Sequence, residues 1–311
     1  MIEFAIRRAG LSVLVVIGVS IAVFMMLRLV PGDPVTVMLS QSAGAQDAQR
    51  LRHELGLDQP LYAQYGDYVG RAVQGDLGRS IRLQQSVISL IGQRFPATLE
   101  LAFASLVIAS LFGVLFGALS AVHHGRWLDH LVRVGSLAGL SLPSFWLGLM
   151  LLLVFGLWLG VLPIAGNDSL SSIVLPAVTL AMVPLGLITR IVRSSMLEVL
   201  GEDYVRTARA KGVGQRGVIS HHVLRNSLIP LVTVVGIQFG TLLGGAIIVE
   251  KVFAWPGVGQ LLVDAVAARD FPLVQGIVLF IAIGFVLVNL VVDLLYALID
   301  PRVRDEMESV A

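Results

Sequence analysis

Six apolar runs, each long enough to cross a bilayer, dominate the 311-residue chain: roughly Leu11–Val30, Thr98–Val122, Val134–Leu159, Ile173–Val192, Leu228–Val249 and Leu273–Ile299. A helix rises about 1.5 Å per residue, so about 20 apolar residues cover the hydrocarbon core. Hydrophobic residues make up 56% of the sequence and charged ones 14%, far from ordinary globular usage. The reading is an all-α membrane protein with lipid as its solvent. The net charge of +1 leaves no footprint for nucleic acid. The absence of Cys excludes disulfides, thiolate metal sites and Cys nucleophiles. Arg7 and Arg8 precede the first run as they would in a signal peptide. That run, however, continues to Val30 with no small-residue cleavage pattern before Pro31, so it reads as a retained span.

The chain then divides into residues 1–30, a first transmembrane helix; 31–97, an extracytoplasmic segment with short helices; 98–300, a core with five transmembrane helices; and 301–311, a cytoplasmic tail. Arg28 snorkels from the outer end of the first span, and Pro31-Gly32-Asp33-Pro34 ends it. Leu51 and Leu55 stand at helical spacing before Gly56; Leu61, Tyr65 and Val69 mark a second short helix, and Val87, Leu90 and Ile91 a third. These are either interfacial amphipathic helices or a docking surface. Gly113 and Gly117 form a small-xxx-small pair for close helix packing. The 123–133 interval reads as a short basic turn, and its adjacent His123 and His124 point apart with no third ligand, so they make no metal site. Pro143, Pro176 and Pro184 fall inside spans, where each kinks its helix. Gln238, Gly240, Gly244 and Gly245 make the fifth span the least oily. Broken and glycine-rich helices either line a substrate path or simply pack, which makes Pro143, Pro184, Gln238 and Gly244 candidates for the path. Asp293 lies near the end of the sixth span and is expected to pair with an Arg there.

Of the 22 Lys and Arg, 13 fall in the N-terminus, the 123–133 turn, the 190–225 loop and the tail. Those segments are short, so by the positive-inside rule both termini face the cytoplasm with six spans between them.

The longest polar interval between spans, within residues 198–226, is strongly basic. Asp203 is placed to cap a helix over Tyr204–Lys211, and Gly212 to close it in the left-handed conformation. Arg206, Arg209 and Lys211 make this helix cationic, and Ala208, Ala210, Gly212 and Gly214 leave room for another protein to approach. A solvated loop that only sets orientation needs the charges but not the cap, the stop and the small residues; docking accounts for all of them. The chain has no G-x-x-x-x-G-K-[ST] phosphate cradle. Ser194-Ser195 and His221-His222 form no nucleophile–base arrangement. The chain therefore reads as no enzyme, and its energy must come from a partner or an ion gradient. An ion-coupled carrier calls for several mid-membrane charges and often inverted repeats. Only Asn289 and Asp293 are candidates, and no repeat is seen.

Ala-Arg-Ala-Lys-Gly at 208–212, followed by His-x-Leu-Arg-Asn-x-Leu-Ile-Pro at 222–230, resembles the coupling loop of binding-protein-dependent ABC importer permeases of the dipeptide, oligopeptide, glutathione and nickel family. Val-Pro-Gly-Asp-Pro at 30–34, Leu55–Tyr65, Gly-Asp-Leu-Gly-Arg-Ser at 75–80 and the loop at 249–272 are similar to the B-type, first transmembrane subunit. Arg206-Thr207-Ala208 stands where the wider permease consensus has Glu-Ala-Ala, a departure that fits the peptide branch. The resemblance implies a type I ABC importer permease fold in the bacterial inner membrane. It implies that Asp203, Tyr204, Arg206, Thr207, Ala208, Arg209, Lys211 and Gly212 enter a groove of an ATPase. Trp255, Pro256, Gly257 and Gly259 become candidates for contact with a binding protein; the residues alone fit an interfacial re-entrant turn equally well. The implied partners are a second, homologous permease, two ATPase subunits that bind ATP and Mg, and a periplasmic substrate-binding protein. No cofactor or metal is expected in this chain. The implied substrates are small peptides (dipeptide, oligopeptide or glutathione), with nickel complexes as the alternative.

Overall fold

In hydrocarbon no water satisfies backbone N–H and C=O groups, so an apolar run must bond to itself as a helix. A computed structural model describes residues 2–29 and 58–299. The expectations for Arg28's side chain, Pro31–Pro34, Leu51–Gly56 and the tail lie outside what it describes. In chain order the helices are α1 (Ile2–Leu29), α2 (Leu61–Val73), α3 (Val87–Val122), α4 (Trp127–Ser141), α5 (Ser144–Trp158), α6 (Val174–Leu200), α7 (Asp203–Ala210), α8 (Ile229–Val252), α9 (Val258–Ala267) and α10 (Phe271–Ile299). Five of these, α1, α3, α6, α8 and α10, are each long and apolar enough to cross a membrane, and α4 with α5 makes a sixth span if the pair crosses once. Among the described residues the one β pairing is an isolated antiparallel bridge between Arg79 and Ser86.

The third span differs from its expected form. Instead of one kinked helix over 134–159, α4 and α5 meet at 108°. Proline's ring disfavours helical geometry in the residue before it, and Leu142 is accordingly extended (φ −77°, ψ 129°). Pro143 (φ −60°, ψ 130°) precedes the first turn of α5, so it breaks the span rather than bending it. The basic turn also shortens to 123–126, because α4 already starts at Trp127. The end of α5 widens into π-helix, with the Leu159 N–H reaching the Val154 carbonyl at 2.9 Å. Pro176 sits in the first turn of α6, where no intrahelical bond is lost; Pro184 lies inside α6. Asn226 and Ser227 do not cap α8. Helical turns from Gln215 to Ser227, π-helical over Val218–Leu224, lead straight into it, and Ser227 Oγ donates back to the Val223 carbonyl at 2.6 Å.

Two compact units divide the described chain. The first comprises residues 99–255 and 288–299. Its apolar cluster includes Ala109, Ala121, Ile188, Val192, Met196, Val205, Ala208, Val218 and Val223. Helix α6 touches the backbones of α3 and α4 through residues without a Cβ. A Cβ at Gly113 would lie 2.7 Å from Ile188 Cγ2, one at Gly117 2.8 Å from the Thr189 carbonyl oxygen, and one at Gly186 2.7 Å from the Ser136 carbonyl oxygen. The Gly113/Gly117 pair thus has the packing role its spacing predicts.

The second unit comprises residues 2–29, 58–98 and 256–287. Tyr65 of α2 packs its ring edge-on against Phe24 at 5.2 Å, and its hydroxyl meets Ser20 Oγ at 2.7 Å. The Gly75–Ser80 stretch turns through Gly75 (φ +83°) and Gly78 (φ +85°), and Asp76 Oδ1 accepts the Gly78 N–H at 2.9 Å. Buried Asp270 then fixes the following turn: it accepts the Ser80 hydroxyl and the Ile81 and Arg82 N–H groups, and the Leu273 N–H at the start of α10. Val87, Leu90 and Ile91 of α3 pack on Val258, Leu261, Leu273 and Ile277.

Gly117→Ala pushes a methyl into the Thr189 carbonyl and is expected to destabilise the chain by about 1–3 kcal/mol. Heating the purified protein in detergent and following the monodisperse fraction checks it. Gly135→Ala is the control, since nothing lies within 4 Å of its Cβ position.

Candidate functional site

Helix α7 has two faces set by its period. Val205 and Ala208, three residues apart, turn inward and join Met196, Val218 and Val223 in the apolar cluster. Asp203, Tyr204, Arg206, Thr207, Arg209, Ala210, Lys211 and Gly212 are exposed. Ala208 is therefore a core residue at 8% exposure and gives no room to a partner; the exposed small residues are Ala210, Gly212 and Gly214. Its size was legible in the sequence, but its direction depends on the phase of α7 against Met196.

The helix ends also sharpen the expectation. Asp203 is the first helical residue, not the cap: Glu202 holds the cap position in extended geometry, with no side-chain bond to the helix. Asp203 still suits the positive end of the dipole and pairs with Arg206 at 3.5 Å, an exposed contact worth little. Gly212 takes φ +82°, the left-handed closure expected of it, and lets the Val213 N–H return to the Ala208 carbonyl at 3.2 Å. The Lys211 N–H donates to the Thr207 carbonyl at 3.0 Å, and Thr207 Oγ1 donates to the Asp203 carbonyl at 3.0 Å.

Tyr204 moors α7 to the returning arm. Its Oη accepts Asn226 Nδ2 at 2.8 Å and donates to the His222 carbonyl at 3.4 Å; Asn226 Nδ2 reaches the same carbonyl at 3.1 Å. Asn226 thereby holds the basic loop shut. The result is a short cationic helix, apolar beneath and tied at its first turn, with Arg206, Arg209 and Lys211 facing outward.

The other candidates distribute differently. In the first unit Trp255 is 2% exposed, and in the second Gly257 and Gly259 are buried with Pro256 half-buried. Trp255, Gly257 and Gly259 are thus buried, and the exposed residues of this loop include Lys251 and Ala254. Pro184 lies inside α6 and is buried. Pro143 is exposed at the α4–α5 break, Gln238 is half-buried, and nothing lies within 4 Å of a Cβ at Gly244.

Sequence reasoning missed one polar cluster entirely. Asp129, 1% exposed, pairs with Arg193 through Nε at 2.7 Å and Nη2 at 2.9 Å. The same carboxylate accepts the Ser120 hydroxyl at 2.6 Å and the Gly125 N–H at 3.0 Å. Arg193 Nη2 also reaches His124 Nδ1 at 3.1 Å. The available signal was an acid set among the basic residues of the 123–133 interval.

The family described as "Binding-protein-dependent transport system inner membrane component" matches residues 113–305, and "Binding-prot-dependent transport system membrane comp, N-term" matches residues 1–102. The chain belongs to this transport family. The permease is 44% identical to the Di/tripeptide transport system permease protein DppB of Pseudomonas aeruginosa (strain UCBPP-PA14), over 98% of this chain and 100% of that protein. It is 45% identical to the Glutathione transport system permease protein GsiC of Escherichia coli (strain K12), over 98% and 99%. Among solved structures it is similar to the inward-facing MetNI methionine ABC transporter (TM-score 0.59, 20% identity, 68% of this chain and 97% of that one). It is also similar to an amino acid ABC transporter with histidines (TM-score 0.51, 18% identity, 69% and 94%). These likenesses show an importer-permease fold. The permease is a multi-pass inner-membrane protein and a transport subunit.

Tyr204→Phe removes both hydroxyl bonds that moor α7, at a cost of about 1 kcal/mol. Backbone amide exchange within 203–210 is expected to quicken about fivefold, as read by mass spectrometry, while exchange in α8 stays unchanged.

Proposed function

We propose that this permease carries small peptides, of di- and tripeptide or glutathione size, into the cell by alternating access driven by separate ATPases. The observation that carries the reading is α7: a moored cationic helix whose outer face is free of the chain's own core and whose inner face rests on that core. In this reading the loop faces the cytoplasm, and one ATPase groove receives Arg206, Arg209, Lys211 and Gly212. ATP and Mg are held by two such partner subunits, because this sequence has no phosphate cradle. A second, homologous permease completes the path, and a periplasmic binding protein delivers the substrate. When the grooves draw together, α7 moves with its groove. Val205 and Ala208 press on the cluster that contains Met196, so the end of α6 follows.

Peptides are preferred to nickel complexes because the two relatives named above, matched over nearly their whole length, are named for di/tripeptide and glutathione transport. An ion-coupled carrier gains no support from a surface helix of this kind.

The test is reconstitution in proteoliposomes with the partner permease, ATPases and binding protein. Dipeptide or glutathione uptake is expected to require ATP and the binding protein together. Uptake by the purified chain alone overturns the proposal. Gly212→Val places a β-branched residue at φ +82°, which disfavours the closure of α7. Insertion and expression are expected to stay normal while uptake falls by about tenfold, the size of a typical coupling between sites. Uptake equal to the parent protein's contradicts the role given to this helix.

A further inference from the structure

We infer that the Asp129–Arg193 ion pair is the positioning element that passes movement of α7 to α4, the first limb of the bent pair. The inference rests on the coupling role proposed for α7.

One carboxylate gathers four pieces of the first unit. Asp129 lies in the first turn of α4; it holds Ser120 in the last turns of α3, Gly125 in the connecting turn, and Arg193 on α6. On α6, Arg193 stands between Val192 and Met196, both of which face the cluster that α7 enters with Val205 and Ala208. From Arg193 the helix runs unbroken to Leu200, and only Gly201 and Glu202 separate it from α7. Any displacement of α7 therefore reaches Arg193 within two turns of rigid helix.

The contact types differ in what they transmit. Apolar side chains slide over one another with little directional penalty. A guanidinium that donates from Nε and Nη2 to both oxygens of one carboxylate fixes angle as well as distance. Farther along, α4 is pressed against α6 again: a Cβ at Gly186 would meet the Ser136 carbonyl oxygen, and a Cβ at Gly139 would lie 3.2 Å from the Met182 carbonyl oxygen. Helix α4 is thus gripped to α6 at its start by charge and near its end by close backbone contact. The next freedom in the chain is the extended Leu142–Pro143 step, where α5 turns away. The end of α3, α4, α6 and α7 then move as one body, and Leu142–Pro143 is the hinge.

An ion pair built on a buried carboxylate is a poor device for stability alone, since an apolar pair of similar volume often does as well or better. Stability and coupling can therefore be separated. The test uses the complete importer in proteoliposomes with three permeases: the parent, Arg193→Lys, and the double variant Asp129→Leu/Arg193→Met. Arg193→Lys keeps the charge pair and loses the fork; the double variant removes both charges without stranding either. Expected for both are normal assembly and basal ATP hydrolysis, with binding-protein-stimulated hydrolysis and uptake lowered by about tenfold; the double variant, which leaves the Ser120 hydroxyl without its acceptor, is expected to melt earlier than Arg193→Lys. Asp129→Glu, which retains a carboxylate, is expected to keep part of the stimulation. Parent-level stimulation and uptake in either of the first two variants overturns the inference. Lost assembly of the double variant leaves the decision to Arg193→Lys. Failure of the parent importer itself to transport with ATP instead overturns the proposed function, so the two failures are distinguishable.

Discussion

Helix α6 can lie against α3 and α4 only because residues without a Cβ stand where the backbones meet. Lipid tails are as apolar as leucine, so burial gives helices in a bilayer no net drive to associate, and close packing must supply it. Gly113 and Gly117 bring α3 to the carbonyl-lined face of α6, and Gly186 brings α6 to α4. Every functional element of the first unit is then positioned from α6. Its final turns carry Arg193 and Met196, and α7 begins three residues after it ends.

The basic loop gains its form from that support. A free eight-residue helix is marginal in water. Here Val205 and Ala208 are buried, Tyr204 is held by Asn226, and Gly212 turns the chain back at the end. These contacts fix a helix whose cations do not need their own chain to hold them in place. Such a surface is rigid before any partner arrives, which lowers the ordering cost of binding. A flexible basic loop of the same composition would satisfy the positive-inside rule equally well but would transmit no force.

Most of the architecture was legible because it follows from length and local geometry. Apolar runs of bilayer length gave the spans, and the Gly113/Gly117 spacing gave a packing face. Gly212 was readable as a left-handed stop because few other residues tolerate that conformation. What was not legible depends on neighbours remote in sequence. A proline inside a span can bend a helix slightly or break it, and the 108° turn at Pro143 accompanies the separate packing of α4 and α5 on α6. The small size of Ala208 suggested a docking face, whereas its register against Met196 buries it. Trp255 looked like a contact residue in an outer loop, and its indole is instead enclosed. Asp129 and Arg193 are 64 residues apart, and no local pattern links them.

The central claim is that the exposed face of α7 is held by an ATPase. The chain has no cysteine, so Arg209→Cys introduces a single thiol on that face without further engineering. Cross-linking from position 209 in native membranes, with reagents of graded length, is the most direct measurement. The predicted result is a short-range adduct with an ATPase subunit, and protection from impermeant thiol reagents added outside intact cells. Labelling from outside, or no adduct with an ATPase at any reagent length in an actively transporting complex, would contradict it.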